Sequence, residues 1–185
     1  MRQLSPPTNI DGAWPSGLAL SGDVLYGTTA GQWPKINGTV FSLHTDGSAF
    51  TILHSFVFTE GSSSLAKLSV LGNRLYGTAS QGGLNGSGTV FSVNTDGSDF
   101  TVLYNFTAKG NNGTNMDGAY TTSSLVLYGN TLYATPQQGG SQGYGTVISL
   151  ELPLGFSAIA VNPDGSATLC LSGTPNLTYI IRFVR

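Results

Sequence analysis

Residues 75–106 read LYGTASQGGLNGSGTVFSVNTDGSDFTVLYNF, and residues 25–56 read LYGTTAGQWPKINGTVFSLHTDGSAFTILHSF. These two stretches align throughout, with Tyr26 and Tyr76 separated by 50 residues. A third copy, LYATPQQGGSQGYGTVISLEL, occupies residues 132–152, and its Tyr133 follows Tyr76 by 57 residues. Self-similarity at a fixed period of this size is the sequence signature of a repeat architecture.

Each copy predicts four short strands, as the second copy illustrates. The alternating run LAKLSV is followed by a Gly72-Asn73 hairpin signal and by RLYGTA. A glycine loop at 81–87 leads to GTVFSVNT, and Asp96-Gly97 turns the chain into DFTVLYNF. Apolar residues recur with period two rather than 3.6, so no helix is predicted. Residues of the strand TVFSV are apolar on both faces, which indicates that neighbouring sheets cover it on both sides.

The predicted fold class is therefore all-β, a β-propeller built from tandem four-stranded antiparallel blades. A single blade cannot bury both faces of its sheet, so neighbouring blades must stack. An open β-sandwich is the alternative. The predicted domain, 1–153, contains repeats at about 11–56, 60–106 and 117–152. The tail at 154–185 contains three further strands, FSAIAV, ATLCLSG and LTYIIRFV, and is predicted to be a partial blade or an edge module.

Composition excludes several classes of protein. Charged residues make up 9% of the chain, the net charge is −2, and no cluster of Lys and Arg suggests nucleic-acid binding. No apolar run approaches the length of about 20 residues that a membrane span needs. The start, MRQLSPPTNIDG, lacks the apolar segment of a signal peptide. The single cysteine, Cys170, excludes an internal disulfide.

The repeated block, LYGT followed by a glycine loop, GTVF and a DG turn, resembles the GloVer tandem repeat of bacterial surface proteins with varied C-terminal anchors. The resemblance extends over roughly Asp11 to Leu152. The third copy departs from it, because Ala134 replaces a glycine, Ile148 replaces a phenylalanine and the DG turn is lost. The first copy has QWPKI at 32–36 in place of the Gly-Gly loop. The resemblance implies a propeller-like fold and an extracellular or cell-surface location, and no established activity.

Sequential antiparallel strands would place the tight turns at one end of each sheet and the longer loops at the other. The longer loops differ between copies, which is typical of functional loops on a rigid scaffold. Trp33 does not recur and is the best candidate for stacking on a ligand, whereas recurring aromatic residues are predicted to be core. The candidate binding residues are Trp33, Lys35, Asn85, Gln138, Gln142 and Tyr144. The predicted core aromatic residues are Tyr26, Tyr76, Tyr133, Phe41, Phe91, Phe50 and Phe100.

Three acidic residues, Asp11, Glu60 and Asp117, recur at one position of the repeat, each before a glycine. One interpretation is structural, with the carboxylate bonding nearby backbone N–H groups in a turn. The other is a ring of carboxylates, assisted by Asn115, that binds Ca²⁺, a cation that prefers oxygen ligands. The sequence leaves both open.

Candidate catalytic residues are few. Ser141 lies in a G-x-S-x-G match, but that motif needs a strand, a sharp turn and a helix, and here it falls in a glycine loop between strands. His54 aligns with Tyr104 of the next copy and has no visible Ser or Asp partner.

Two functional hypotheses follow. The first is an exported, non-catalytic module that binds a small molecule or a glycan through the loops of one face. The alternative is a Ca²⁺-assisted hydrolase of lactones or esters, in which the cation would polarise the carbonyl. Closed propellers typically need four to eight blades, so the chain is also predicted to self-associate into a homodimer or a higher assembly. The alternative is a monomer in which the tail and residues 1–10 together complete a four-bladed ring.

Overall fold

The computed structural model describes residues 12–31 and 37–152, together with the backbone of the tail strands at 155–161, 167–172 and 178–181. The chain forms two compact units, one of residues 1–126 and 134–148 and the other of residues 127–133 and 149–185. All regular secondary structure in the described residues is β, which confirms the predicted class. These residues include no helix of the length and apolarity that a membrane crossing requires.

Each of the first two repeats forms one four-stranded antiparallel sheet with its strands in chain order. The strands of the first sheet are β1 Ala19–Ser21, β2 Val24–Thr29, β3 Thr39–His44 and β4 Thr51–Ser55. Those of the second are β5 Ser69–Leu71, β6 Arg74–Ala79, β7 Thr89–Asn94 and β8 Thr101–Asn105. The registers also repeat, with Gly27 opposite Phe41 and Gly77 opposite Phe91. Both sheets are therefore copies of one blade of the β-propeller type.

The third repeat forms a three-stranded sheet of order β11-β10-β9. Its strands are β9 Val126–Tyr128, β10 Thr131–Ala134 and β11 Ile148–Glu151. Among the described residues this sheet has no fourth strand after β11, the point at which the sequence has lost the DG turn. The tail forms a separate three-stranded antiparallel sheet, as its three alternating segments predicted. Its strands are β12 Gly155–Val161, β13 Ala167–Ser172 and β14 Thr178–Ile181.

Tight turns occupy one end of the first two sheets. Gly22 and Gly72 begin the β1–β2 and β5–β6 turns with φ of 60° and 57°, the left-handed conformation that two-residue hairpins need. In the second sheet, Oδ1 of Asp96 accepts the backbone N–H of Ser98 at 2.9 Å and fixes the β7–β8 turn. Because the strands alternate in direction, the glycine loops and the segments that lead into each sheet lie at the opposite end.

The main core lies between the first two repeats and includes Tyr26 and Val40 of the first with Leu68 and Phe91 of the second. Strand β7 is buried along most of its length, so both of its faces are covered, as the apolar residues on each face predicted. Six of the seven predicted core aromatic residues are buried or half-buried. The prediction for Tyr133 is wrong, since its side chain is 39% exposed. Tyr26 is enclosed by the following repeat, and the described residues form no such cluster around Tyr133.

Side-chain hydrogen bonds join consecutive repeats in the same way twice. Thr28 Oγ1 donates to the carbonyl of Ser64 at 3.0 Å, and Thr78 Oγ1 donates to the carbonyl of Thr121 at 3.3 Å. Both threonines lie on the second strand of a sheet and are fully buried. We call this arrangement the repeat junction.

Backbone geometry at the repeat junction is also repeated. Trp14, Ser63 and Tyr120 occupy one repeat position and have φ of 52°, 56° and 58°, a left-handed conformation that is unfavourable for residues with a side chain. The amide of Ser63 donates to the carbonyl of Asn37, and that of Tyr120 donates to the carbonyl of Ser87. Ser63 and Tyr120 are therefore each held by the loop between the second and third strands of the preceding repeat.

Candidate functional site

The recurring carboxylates, Glu60 and Asp117, bond both to the last strand of one sheet and to the loop that leads to the next sheet. Oε2 of Glu60 accepts the backbone N–H of Val57 at 3.1 Å and lies 2.9 Å from Nε2 of His54. The sequence showed no Ser or Asp partner for His54, and the partner in the structure is a glutamate. The His54 ring also stacks on Phe100 of the next sheet, with centroids 3.6 Å apart. Asp11, the first member of the series, lies outside the described residues.

Asp117 has the equivalent contacts in the next repeat. Its Oδ2 accepts the Tyr104 hydroxyl at 2.6 Å and the backbone N–H of Thr107 at 2.9 Å, and its Oδ1 accepts the Thr107 hydroxyl. Tyr104 stands where His54 stands one repeat earlier. The two carboxylates therefore share one arrangement, a bond to the outer strand of the sheet and a bond to the loop that follows it.

The hydrogen bonds change the ionisation of both partners. Partial burial raises the pKa of Asp117, but the hydrogen bonds from Thr107 and Tyr104 outweigh it, so the pKa is lowered overall. The hydrogen bond to Asp117, with burial and the negative charge of the carboxylate, raises the pKa of Tyr104 to about 12. The pair is thus held as a carboxylate and a neutral phenol across the neutral pH range.

This pairing predicts a pH dependence of stability. The contribution of Asp117 is present above its unfolded pKa of about 3.9 and is lost as the pH falls through its lower folded value. The contribution of Tyr104 is present below its unfolded pKa of about 10 and is lost as the pH rises toward its folded value. We expect Tyr104→Phe to reduce the free energy of unfolding by about 1.5 kcal/mol at neutral pH, the value of a hydrogen bond to a charged group.

Thermal melts across the alkaline range test this expectation. The difference between wild type and Tyr104→Phe should shrink as the pH approaches about 12, because the wild-type bond is lost there. Tyr128→Phe, at an exposed tyrosine, is the control. A difference that stays constant with pH would contradict the role of the Tyr104–Asp117 pair.

The side chain of Asn115 holds the glycine loop of the third repeat through hydrogen bonds. Its Oδ1 accepts the amides of Gly118 and Gly140 at 2.9 and 3.0 Å, and its Nδ2 donates to the carbonyls of Thr107 and Gly118. One repeat earlier, the main-chain carbonyl of Phe58 accepts the amide of Gly83, which is equivalent to Gly140. The Asn115 side chain therefore replaces a backbone acceptor.

The Ca²⁺ hypothesis depends on the same groups. Oxygen atoms of Glu60, Asp117 and Asn115 accept the protein hydrogen bonds given above. Within residues 12–31 and 37–152, no group of three or more His, Cys, Asp or Glu side chains is placed to hold a metal ion. A Ca²⁺ site stays a prediction, and elemental analysis of the purified protein tests it.

The glycine loops of the second and third repeats have the same backbone. Their sequences are QGGLNGSG at 81–88 and QGGSQGYG at 138–145. The amide of Gly88 donates to the carbonyl of Gly82 at 3.0 Å, and that of Gly145 donates to Gly139 at 2.9 Å. The paired glycines have φ between 71° and 77° in both loops. The glycines thus fix one loop conformation that does not depend on the residues between them.

The exposed side chains of the two loops differ. Leu84 and Asn85 project from the first, although Nδ2 of Asn85 also donates to the carbonyl of Phe106 at 2.9 Å. Exposed Ser141 and Gln142 occupy the same places in the second. Buried Ser87 is replaced by Tyr144, whose side chain is 92% exposed. The loops therefore present different chemistry from one backbone.

A cation and an aromatic ring lie beside the glycine loop of the third repeat. Nζ of Lys109 donates to Oε1 of Gln138 at 2.7 Å and lies 5.1 Å from the centre of the Tyr120 ring. Sequence reasoning missed both Lys109 and Tyr120, because neither lies in a glycine loop. The sequence feature that could have identified Tyr120 is its alignment with Trp14, which is also aromatic and also has a left-handed backbone.

The structure brings four of the sequence candidates together on one loop, Gln138, Ser141, Gln142 and Tyr144. Trp33 and Lys35 lie outside the described residues. The segment after Ser141 leads into strand β11 rather than into a helix, so the G-x-S-x-G match lacks the setting of a nucleophile elbow. His54 lies on strand β4 and is bonded to Glu60, which gives it a structural contact.

Comparison with solved structures finds a chain in the crystal structure of a nidogen/laminin complex. It has 15% sequence identity and a TM-score of 0.45, and the match covers 95% of this chain and 67% of that chain. A search of curated proteins returns no match. The Gloeobacter/Verrucomicrobia repeat matches residues 5–168, which include all three repeats. The chain therefore belongs to the Gloeobacter/Verrucomicrobia repeat family.

Proposed function

We propose that this β-propeller repeat module binds a glycan through its glycine loops, in an extracellular or cell-surface setting. One observation carries the proposal, namely that the second and third loops share a backbone and differ in their exposed side chains. A fixed scaffold with variable exposed residues is how recognition loops are organised. A purely structural loop would not need an almost fully exposed tyrosine.

The third loop offers the chemistry that a sugar requires. Tyr144 provides an exposed aromatic face, and the amide groups of Gln138 and Gln142 provide donors and acceptors for hydroxyl groups. The two contacts of Lys109 are with neutral groups, so its positive charge remains to attract an anion. These features favour a glycan that carries a carboxylate or a sulfate group.

A glycan array that contains neutral and acidic glycans tests this proposal. We expect the wild-type protein to bind a subset of acidic glycans, and Tyr144→Ala to weaken that binding on the order of tenfold, which corresponds to about 1.4 kcal/mol. Tyr128→Ala removes an exposed tyrosine that lies outside the loops and should leave binding unchanged.

Substitution of Lys109 separates the contribution of its positive charge to glycan binding from that of aromatic stacking by Tyr144. Lys109→Met keeps a long apolar side chain and removes the charge, so we expect it to abolish the preference for acidic over neutral glycans. If no glycan binds the wild-type protein, or if Tyr128→Ala weakens binding as much as Tyr144→Ala, the proposed site is wrong.

A further inference from the structure

One position on the side of each sheet that faces the preceding repeat is a leucine in all three repeats. Leu18, Leu68 and Leu125 occupy this position in the three repeats. Leu68 and Leu125 are 2% and 5% exposed, whereas Leu18 is 46% exposed. Leu68 belongs to the core cluster that includes Tyr26 and Val40 of the preceding sheet. The first repeat therefore exposes, at this position, an apolar side chain that both later repeats bury.

On the side of each sheet that faces the following repeat, one threonine position is buried in the first two repeats and exposed in the third. Thr28 and Thr78 are fully buried and donate their hydroxyl groups across the repeat junction. Thr135 is the third member of this series, and it is exposed. The neighbouring Val126 and Val147 are also exposed. The third repeat therefore presents the donor half of a repeat junction, and the first repeat presents the acceptor half.

We propose that a second copy of this chain joins these two surfaces, so that the repeat junction forms again between chains. The Leu18 side of one copy would pack against the Thr135 side of the next. The Thr135 hydroxyl would donate to carbonyl groups in residues 15–17, the segment that corresponds to Ser64–Ala66 of the second repeat. Both surfaces belong to the same compact unit of the chain. The interface would repeat the hydrogen bonds and apolar contacts of the two repeat junctions that already form within the chain.

This contact is head-to-tail, since the two surfaces differ. Such an interface closes into a ring when the rotation between copies allows it and otherwise propagates. If the contact is head-to-tail, a substitution that disrupts either surface should prevent assembly. The contact also predicts that two chains damaged on different surfaces can still form one intact junction with each other.

Sedimentation velocity of the whole chain at micromolar concentration tests the proposal. We expect a species of at least twice the chain mass of 19.2 kDa. Leu18→Glu and Thr135→Arg each place a charge on one of the two surfaces and should each sediment as a monomer. The control is Leu84→Glu, at an exposed leucine of the glycine loop, which should assemble like wild type.

Mixing the two damaged chains distinguishes head-to-tail contact from other modes. The mixture of Leu18→Glu and Thr135→Arg should regain a dimer, because the Thr135 side of one meets the Leu18 side of the other. Circular dichroism confirms that each variant keeps its sheet content. A wild-type monomer, an assembly that survives both substitutions, or a mixture that stays monomeric would each overturn the proposal.

Discussion

Gly77→Ala is expected to lower the free energy of unfolding by about 3 kcal/mol, at the upper end of the range for overpacking a core. A Cβ atom at Gly77 would lie 2.5 Å from Cζ of Phe91 and 2.7 Å from Cδ2 of Leu68. Both neighbours are fully or almost fully buried, so neither ring nor leucine can move aside into solvent. Urea unfolding followed by circular dichroism measures the effect.

The third repeat shows how the same position accepts a larger residue. There Ala134 replaces the glycine and Ile148 replaces the phenylalanine, so the extra methyl group accompanies a shorter partner. We therefore expect Phe91→Ile to rescue Gly77→Ala in part, with a coupling energy of about 1 kcal/mol or more in a double-mutant cycle. Additive effects of the two substitutions would show that the Gly77–Phe91 contact does not set the residue choice.

Gly61→Ala is expected to be similarly damaging, for a second reason. Gly61 follows the carboxylate of Glu60 and has φ of 139°, a conformation that residues with a side chain rarely adopt. A Cβ atom there would lie 2.5 Å from Cβ of Ala79 and 2.7 Å from Oγ1 of Thr89. Backbone strain of about 1–3 kcal/mol would add to the steric clash.

A matched control separates strain from clash. Gly72 also has a positive φ, but nothing lies within 4 Å of a Cβ atom added there. Gly72→Ala should therefore cost only the left-handed strain, about 1–2 kcal/mol. Equal losses from Gly61→Ala and Gly72→Ala in urea unfolding would contradict the close approach of the Gly61 backbone to strand β6.

The repeat, the strands and the turns could be predicted from sequence because each has a local signal. Gly72-Asn73 and Asp96-Gly97 mark turns through their own backbone preferences, and the alternating residues around them mark the strands. The burial of β7 on both faces followed from the apolar residues on each side of one short strand. These features depend on residues that are neighbours in the chain.

Features that depend on packing between repeats could not be read in the same way. The His54–Glu60 contact needs the chain to turn back toward the end of strand β4, and no pattern in the sequence specifies that turn. The core prediction for Tyr133 failed because it assumed that each repeat has the same neighbours. Lys109 and Tyr120 meet only through the left-handed turn at Tyr120, which aromatic residues rarely adopt.

The repeats stack through one shared junction, which holds the variable loops on a common scaffold. Amide hydrogen exchange measured by NMR tests this stacking most directly at Ser63 and Tyr120, whose N–H groups donate to the preceding repeat. We expect both amides to exchange slowly, with the protection of the paired amides in β6 and β7. Exchange of both at the rate of an unfolded chain, while the sheet amides stay protected, would show that the sheets fold without stacking.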